Sequence, residues 1–226
     1  MANPLEIIGP IMVGPSSSHI VGALRIARAA ALIANEFEKV NIILYGSFAD
    51  TGKGHGTDKA ILSGLHGYNA DDSRIKHIYE ILRKEKPKWK YSFKNMEAKY
   101  GMHPNTVRFQ FFNKNKKIEI EGISVGGGEI KLTEIEGVKV SISLNKPTLV
   151  LKHEGEAETI SKIMDEIVKY NINIYTIKSW MEDTRELPVS IIEFEELVKE
   201  ELIKKINKMK EVKWARFIET DWVGFA

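Results

Sequence analysis

The sequence predicts an α+β protein in two parts, and three observations carry that prediction. Ser18 to Ala34 sets Ile20, Val21, Leu24 and Leu32 at helical spacing among small residues. Thr106 to Phe112 alternates Val107, Phe109 and Phe111 with Arg108 and Gln110, the period of a half-buried strand. After Asn145-Lys146-Pro147 the pattern becomes strand, helix, strand, strand, helix, strand, ending near Glu219.

The first part is taken as residues 1–145. In its leading helix, Gly22, Ala23, Ala27 and Ala29 to Ala31 let a neighbouring element approach closely. Val40 to Tyr45 is short, apolar and bounded by Gly46, which predicts a buried strand. Gly52 to Gly56 reads as a glycine-rich loop, with Thr57 or Asp58 capping a short helix to Leu65. Tyr68 to Trp89 is mixed, with a helix expected over Arg74 to Lys84 and a turn at Pro87. Gly126-Gly127-Gly128 breaks any strand that runs through Gly122 to Ile130, and Val138 to Leu144 closes the region as a strand.

The second part, residues 146–226, has strands at Thr148 to His153, Ile172 to Ser179, Pro188 to Phe194 and Val212 to Glu219. Its helices span Glu156 to Tyr170 and Glu195 to Met209, and the first carries Ile160, Ile163, Met164, Ile167 and Val168 on one face. A polar turn around Asp183 to Arg185 joins the middle strands. This βαββαβ order is the split βαβ unit of ferredoxin-like folds.

Composition excludes several functions. At 43% hydrophobic residues the 226-residue chain can bury a core. Its net charge of +2, from 33 basic and 31 acidic residues, singles out neither nucleic acid nor an anionic membrane. The basic runs Arg83 to Lys90 and Asn113 to Lys117 read as solvated loops or strand edges. No apolar run is expected to span a bilayer, and Met1 to Pro10 carries an acid where a leader would be basic, so a soluble cytoplasmic protein is expected. With no cysteine, the chain has no disulfide, thiol nucleophile or thiolate metal site.

Four segments carry possible chemistry. Gly14-Pro-Ser-Ser-Ser-His-Ile-Val-Gly22 runs three hydroxyls into a histidine at a predicted helix start. A serine nucleophile would need its base turned toward it and a third group orienting that base, which adjacent residues entering a helix rarely provide. A plain cap accounts for one serine. An anion cradle uses more of the segment, because unpaired N–H groups and the dipole end of a helix attract a carboxylate, and His19 sits beside them. Thr51-Gly-Lys-Gly-His-Gly-Thr-Asp58 follows a strand but matches neither a phosphate-binding loop nor a dinucleotide fingerprint. It leaves a cation, Lys53, and a titratable imidazole, His55, among glycines. A histidine between glycines adds nothing to a surface turn, which favours a functional reading. His103-Pro104-Asn105 and Ser124-Val-Gly-Gly-Gly128 are weaker, one a loop histidine and the other a backbone open to close approach.

In this order and spacing the four segments, with Gly9-Pro10, resemble the β subunit of bacterial iron–sulfur L-serine dehydratases. The resemblance covers the whole chain, since such subunits end in an ACT domain of βαββαβ form. It implies a lyase that converts L-serine to pyruvate and ammonia in amino-acid degradation feeding gluconeogenesis. A [4Fe-4S] cluster held by the cysteines of an α subunit would act as Lewis acid on the substrate hydroxyl, with no metal held by this chain alone. The resemblance also implies site roles. Ser16, Ser17, Ser18, His19, His103 and Asn105 would bind substrate, and His55, Lys53 and His19 would serve acid–base and electrostatic roles. Gly126, Gly127 and Gly128 would let the backbone approach the partner. Self-association through the ACT domain is a further expectation. Ile20 stands where the family usually has Thr, and His153 to Glu158 lacks the Pro-Gly of amino-acid-binding ACT domains, so effector capture there is not expected. The competing reading from another class is a stand-alone amino-acid-sensing regulator.

Overall fold

The computed structural model describes residues 16–114, 116–155, 157–181 and 187–219, and of Lys53 and Ala157 the backbone alone. Gly9-Pro10, Gly14-Pro15 and the turn at Asp183 to Arg185 lie outside the described residues. The protein is mixed α and β, with two sheets. The chain divides into two compact units between Glu136 and Gly137.

A π-helical turn, Ser17–Gly22, runs directly into α1 (Ala23–Ala34). There follow β1 (Lys39–Tyr45), α2 (Ser47–His55), α3 (Thr57–Leu65), a 3-10 turn (Ser73–His77) and α4 (Ile78–Glu85). Then come β2 (Lys90–Met96), β3 (Thr106–Asn113), β4 (Lys116–Gly126), β5 (Glu129–Ile135) and β6 (Val138–Ile142). The strands lie in the order β2-β1-β3-β4-β5-β6. The β1–β2 pair is parallel, whereas β1–β3, β3–β4 and β4–β5 are antiparallel.

Helix α1 is the centre of this unit, and glycines let its neighbours reach it. A Cβ on Gly64 of α3 would sit 2.2 Å from the Leu24 carbonyl oxygen, and one on Gly122 of β4 would sit 2.5 Å from Ile26 Cγ2. The helix therefore lies in contact with α3 and with the sheet, as its small residues predict. The span Ser17–Ala34 is long and apolar enough to cross a membrane by length and composition, which the sequence reading did not expect. It is 72% buried inside the protein, as a core helix is.

Two expectations fail here for physical reasons. Gly52 to Gly56 is not a loop: residues through His55 are helical, and Gly56, at φ +77, ends α2 in the left-handed region. Poor glycine propensity is overridden because Gly52 is buried against Leu44 and Thr57. Neither Thr57 nor Asp58 caps α3; Gly56 holds that position with no side-chain bond, while Asp58 accepts from the Tyr79 hydroxyl. Strand β2 also escapes the sequence reading, since nearly all its residues are exposed and no face alternates. In the basic run at Asn113 to Lys117, Asn113 ends β3 and Lys116 begins β4, and Gly127-Gly128 forms the β4–β5 turn, with φ of +61 and +86.

The second unit begins with β6 and continues with β7 (Thr148–His153), α5 (Ala157–Val168), β8 (Ile174–Trp180), β9 (Val189–Phe194), α6 (Glu200–Asn207) and β10 (Val212–Ile218). Its sheet runs β10-β7-β9-β8, and the β10–β7, β7–β9 and β8–β9 pairs are antiparallel. Leu149, Leu151, Ile192, Phe194 and Ala215 form one core with Ile163, Ile167, Leu202 and Ile206 of the helices. Val168, expected on that apolar face, is 71% exposed instead.

Candidate functional site

The π-helical turn sets the site. Ser16, extended at φ −139, accepts the His19 backbone N–H on its Oγ at 3.2 Å, the capping bond of the turn. A π turn inserts an extra residue per turn and commonly marks a functional position. Here it carries His19 inward, to 7% exposure, with the three serines half-buried around it.

Both nitrogens of the His19 ring meet hydroxyls. Nδ1 lies 3.4 Å from Ser16 Oγ and 3.3 Å from Ser18 Oγ. Nε2 lies 3.1 Å from Ser47 Oγ and 3.1 Å from Thr51 Oγ1. The ring packs edge-on against Phe48 at 5.3 Å and against His55 at 4.9 Å. Burial holds the His19 imidazole below its usual 6.5, the nearby His55 ring pushes the same way, and a hydrogen bond to the Ser47 backbone opposes them. His19 is therefore a neutral imidazole at pH 7, able to accept a proton.

Helix α2 is what brings these groups together. Ser47, Thr51 and His55 are spaced i, i+4, i+8, so they lie along one helix face. That face meets His19. The sequence alone gives Thr51 no role within its motif and does not point to Ser47. The i, i+4 spacing was the available signal, hidden by reading the glycines as a loop. Lys53 lies on α2 with its backbone alone described, and His55 is exposed.

The His103–Asn105 loop reaches the same region through its proline. Pro104 seats against Gly46, whose φ of +53 and added-Cβ distance of 2.7 Å to the Pro104 carbonyl oxygen leave room only for glycine. That carbonyl also accepts the Phe48 N–H at 3.4 Å. His103 turns onto its own loop, its Nδ1 accepting the Asn105 N–H at 3.1 Å. Asn105 exchanges a bond with β4, its carbonyl accepting from the Ser124 N–H at 3.0 Å. Ser124 Oγ and Asn105 Oδ1 are buried without a hydrogen-bond partner among the described residues. Ser124 presses on Gly22 at the end of the π turn. Gly126 ends β4, and the Gly128 carbonyl accepts from buried Arg25 at 2.6 Å. Burial lowers the Arg25 guanidinium to about 10, with Glu129 opposing.

A cleft of about 1040 Å³ opens elsewhere, lined by Arg28, Leu32, Phe37, Trp89 and Lys116 among others. It contains none of the motif residues. The cleft has titratable groups of its own, His66, Glu36 and Glu38 among them, but the motif segments and the hydroxyls that converge on one imidazole lie at the His19 cluster.

Comparison with known proteins adds a family. Residues 7–134 match the family described as serine dehydratase beta chain. The probable L-serine dehydratase beta chain of Bacillus subtilis (strain 168) is 34% identical over 208 residues, covering 92% of this chain and 93% of that one. The L-serine dehydratase beta chain of Peptoniphilus asaccharolyticus is 32% identical over 216 residues, covering 95% and 96%. An L-serine dehydratase of Helicobacter pylori (strain J99 / ATCC 700824) is 49% identical over 69 residues, which are 29% of this chain but only 15% of that longer one.

Proposed function

The chain belongs to the serine dehydratase beta-chain family, and from that premise we infer that its His19 cluster is this subunit's share of a pocket for L-serine. The activity is that of a lyase, L-serine ammonia-lyase, and a beta chain implies an alpha partner. The regulatory alternative loses ground, because the relatives that match along nearly the whole chain are named as dehydratase beta chains.

One observation carries the reading of the site: a neutral, buried imidazole ringed by four hydroxyls where the π turn and α2 meet. Ser16, Ser17 and Ser18 bind the substrate carboxylate with the turn's first N–H groups. The His19–His55 pair does the acid–base work, and Lys53 adds a cation to the same helix. His103 and Asn105 line the neighbouring wall, and the Gly126–Gly128 turn lets the partner approach.

The donor set bears on where an iron–sulfur cluster would sit. Such a cluster needs thiolate ligands, and this chain has no cysteine. Among the described residues no three His, Asp or Glu side chains converge as metal ligands. This chain's residues do not fit the cluster, which the alpha subunit holds in our reading.

Residues 1–145 are then the catalytic beta-chain domain and residues 146–226 an ACT domain. The βαββαβ order with the sheet β10-β7-β9-β8 supports the latter. Its role is assembly, with pairing of copies through this domain. His153, at the head of the segment where ACT domains take ligands, is buried and bonded through Nε2 to Ser190 Oγ at 2.8 Å. Ser190 in turn donates to Ser179. A histidine so engaged is a structural tie across β7, β9 and β8.

The test is anaerobic co-expression with an alpha subunit and an assay for pyruvate from L-serine. Ser17→Ala or Ser18→Ala removes a hydrogen bond to a charged group, worth roughly 1.5–3 kcal/mol, so substrate binding weakens about 10- to 150-fold. Unchanged kinetics in both single variants and in the double variant would leave the serines only a capping role.

A further inference from the structure

Hydrogen-bond bookkeeping around His19 settles more than its neighbours. A threonine hydroxyl has one hydrogen to donate and two lone pairs to accept with. Thr51 Oγ1 donates that hydrogen to the Ser47 carbonyl, one helical turn back, at 2.8 Å. Toward His19 Nε2, at 3.1 Å, the same oxygen has only lone pairs left. A bare Nε2 would set lone pair against lone pair, whereas an Nε2–H donates to Thr51 and to Ser47 Oγ, which lies at the same distance.

The other side of the ring agrees. Ser16 Oγ already accepts the His19 backbone N–H, which leaves its own hydrogen free to donate. Ser18 Oγ, 3.4 Å from Ser16 Oγ, is a second donor. Both lie within 3.4 Å of Nδ1. A neutral imidazole carries one ring hydrogen, and these partners put it on Nε2.

We propose that Thr51 is a positioning residue for His19: by committing its only hydrogen to the Ser47 carbonyl, it fixes the imidazole as the Nε2–H tautomer and turns the bare Nδ1 toward Ser16 and Ser18. This rests on the reading of that serine face as the substrate side. The basic nitrogen of the buried histidine then faces the bound substrate rather than the interior of α2. A proton taken up at Nδ1 yields an imidazolium with both N–H groups already met by oxygens, Ser16 and Ser18 on one edge and Ser47 and Thr51 on the other. Thr51 is suited to this by its place on the helix, since the i−4 carbonyl is the acceptor a helical threonine reaches most easily.

The experiment is nitrogen-15 NMR of the full chain labelled at histidine, with the His19 signals identified by their loss in His19→Asn. At pH above the titration of His19, the expected pattern is a protonated Nε2 and an unprotonated Nδ1. In Thr51→Val, isosteric but without the hydroxyl, the two shifts move toward each other as the tautomers mix. In Thr51→Ser the wild-type pattern returns. After reconstitution with the alpha subunit, Thr51→Val lowers kcat with little change in KM, and Thr51→Ser restores it. A wild-type Nδ1–H, averaged wild-type signals, or a Thr51→Val spectrum identical to wild type overturns the proposal. If Thr51→Val fails to fold, the wild-type spectrum alone decides. Should the tautomer be as stated while reconstituted His19→Asn keeps full turnover, the tautomer stands and the functional reading of the site falls.

Discussion

Gly22→Ala isolates the close contact that seats the π turn on the sheet. A Cβ built at Gly22 meets Ser124 Oγ at 2.0 Å, Ser124 Cβ at 2.6 Å and Ser124 Cα at 3.7 Å. Rotating the serine side chain clears Oγ but not Cβ, which stays put. Carbon atoms rest about 3.5–4.0 Å apart, so the turn and β4 must separate by about 1 Å. Overpacking of this size costs about 1–3 kcal/mol. Alanine recovers about 1 kcal/mol of helix propensity over glycine, since Gly22 already has helical angles of −60 and −48. The net loss of stability is small, and the urea midpoint falls modestly. Activity suffers more, because His19 lies three residues back on the same turn. A displacement of about 1 Å at a reacting group costs about 100-fold in rate. The assay is kcat/KM for L-serine in the complex with the alpha subunit, beside urea unfolding of the chain alone. Ser124→Gly removes both clashing atoms, so the double variant regains most of the activity. A Gly22→Ala enzyme within about threefold of wild type, against the 100-fold expected, refutes the claim that this contact seats His19.

Other outcomes follow from the same structure. Gly54→Ala on α2 meets nothing within 4 Å, so it stabilises the chain by about 0.5–1 kcal/mol; a lower urea midpoint would contradict a helix there. His19 titrates below its usual 6.5 when folded, so the unfolded chain binds its proton first. Its contribution to stability is full above pH 6.5 and is lost as pH falls below that toward the folded value, and His19→Asn should flatten this part of a stability–pH curve. His55→Asn removes the second cause of that depression, and the midpoint of His19 in an NMR titration rises; an unmoved midpoint would show that His55 does not act on it. Asn207 ties α6 to β10 by accepting from the Ala215 N–H at 2.8 Å and donating to the Ala215 carbonyl at 2.9 Å. Asn207→Leu loses both bonds and costs about 2–3 kcal/mol of stability in urea.

Where one pattern repeats without interruption, the sequence was legible. The βαββαβ order after Pro147 is legible because its helices each bury one apolar stripe, as at Ile163 and Ile167, and because strands such as β9, buried at every position, are short apolar runs. The leading helix was legible for a related reason: alanine and glycine serve both propensity and close packing. Strand β2 was hidden because its residues face solvent on both sides, which removes the alternation that marks a strand. It is held by parallel pairing with β1, from Lys39–Lys90 to Tyr45–Met96, a partnership that no local signal encodes.

Helix α2 was hidden for the opposite reason. Gly52, Gly54 and Gly56 each argue locally for a loop, and only Gly56 behaves as one. Gly46, held open by Pro104, starts the helix, and Gly56 stops it. Within those limits Gly52 yields space to Thr57, and the helix survives its own composition. The gain is geometric. A loop would leave Ser47, Thr51 and His55 as three unrelated side chains, whereas a helix sets them on one face at a turn's spacing, opposite His19. The sequence reading therefore found His19, His55 and the serines by residue type but could not join them. The joining residues are hydroxyls whose role exists only once the segment between the glycines is wound.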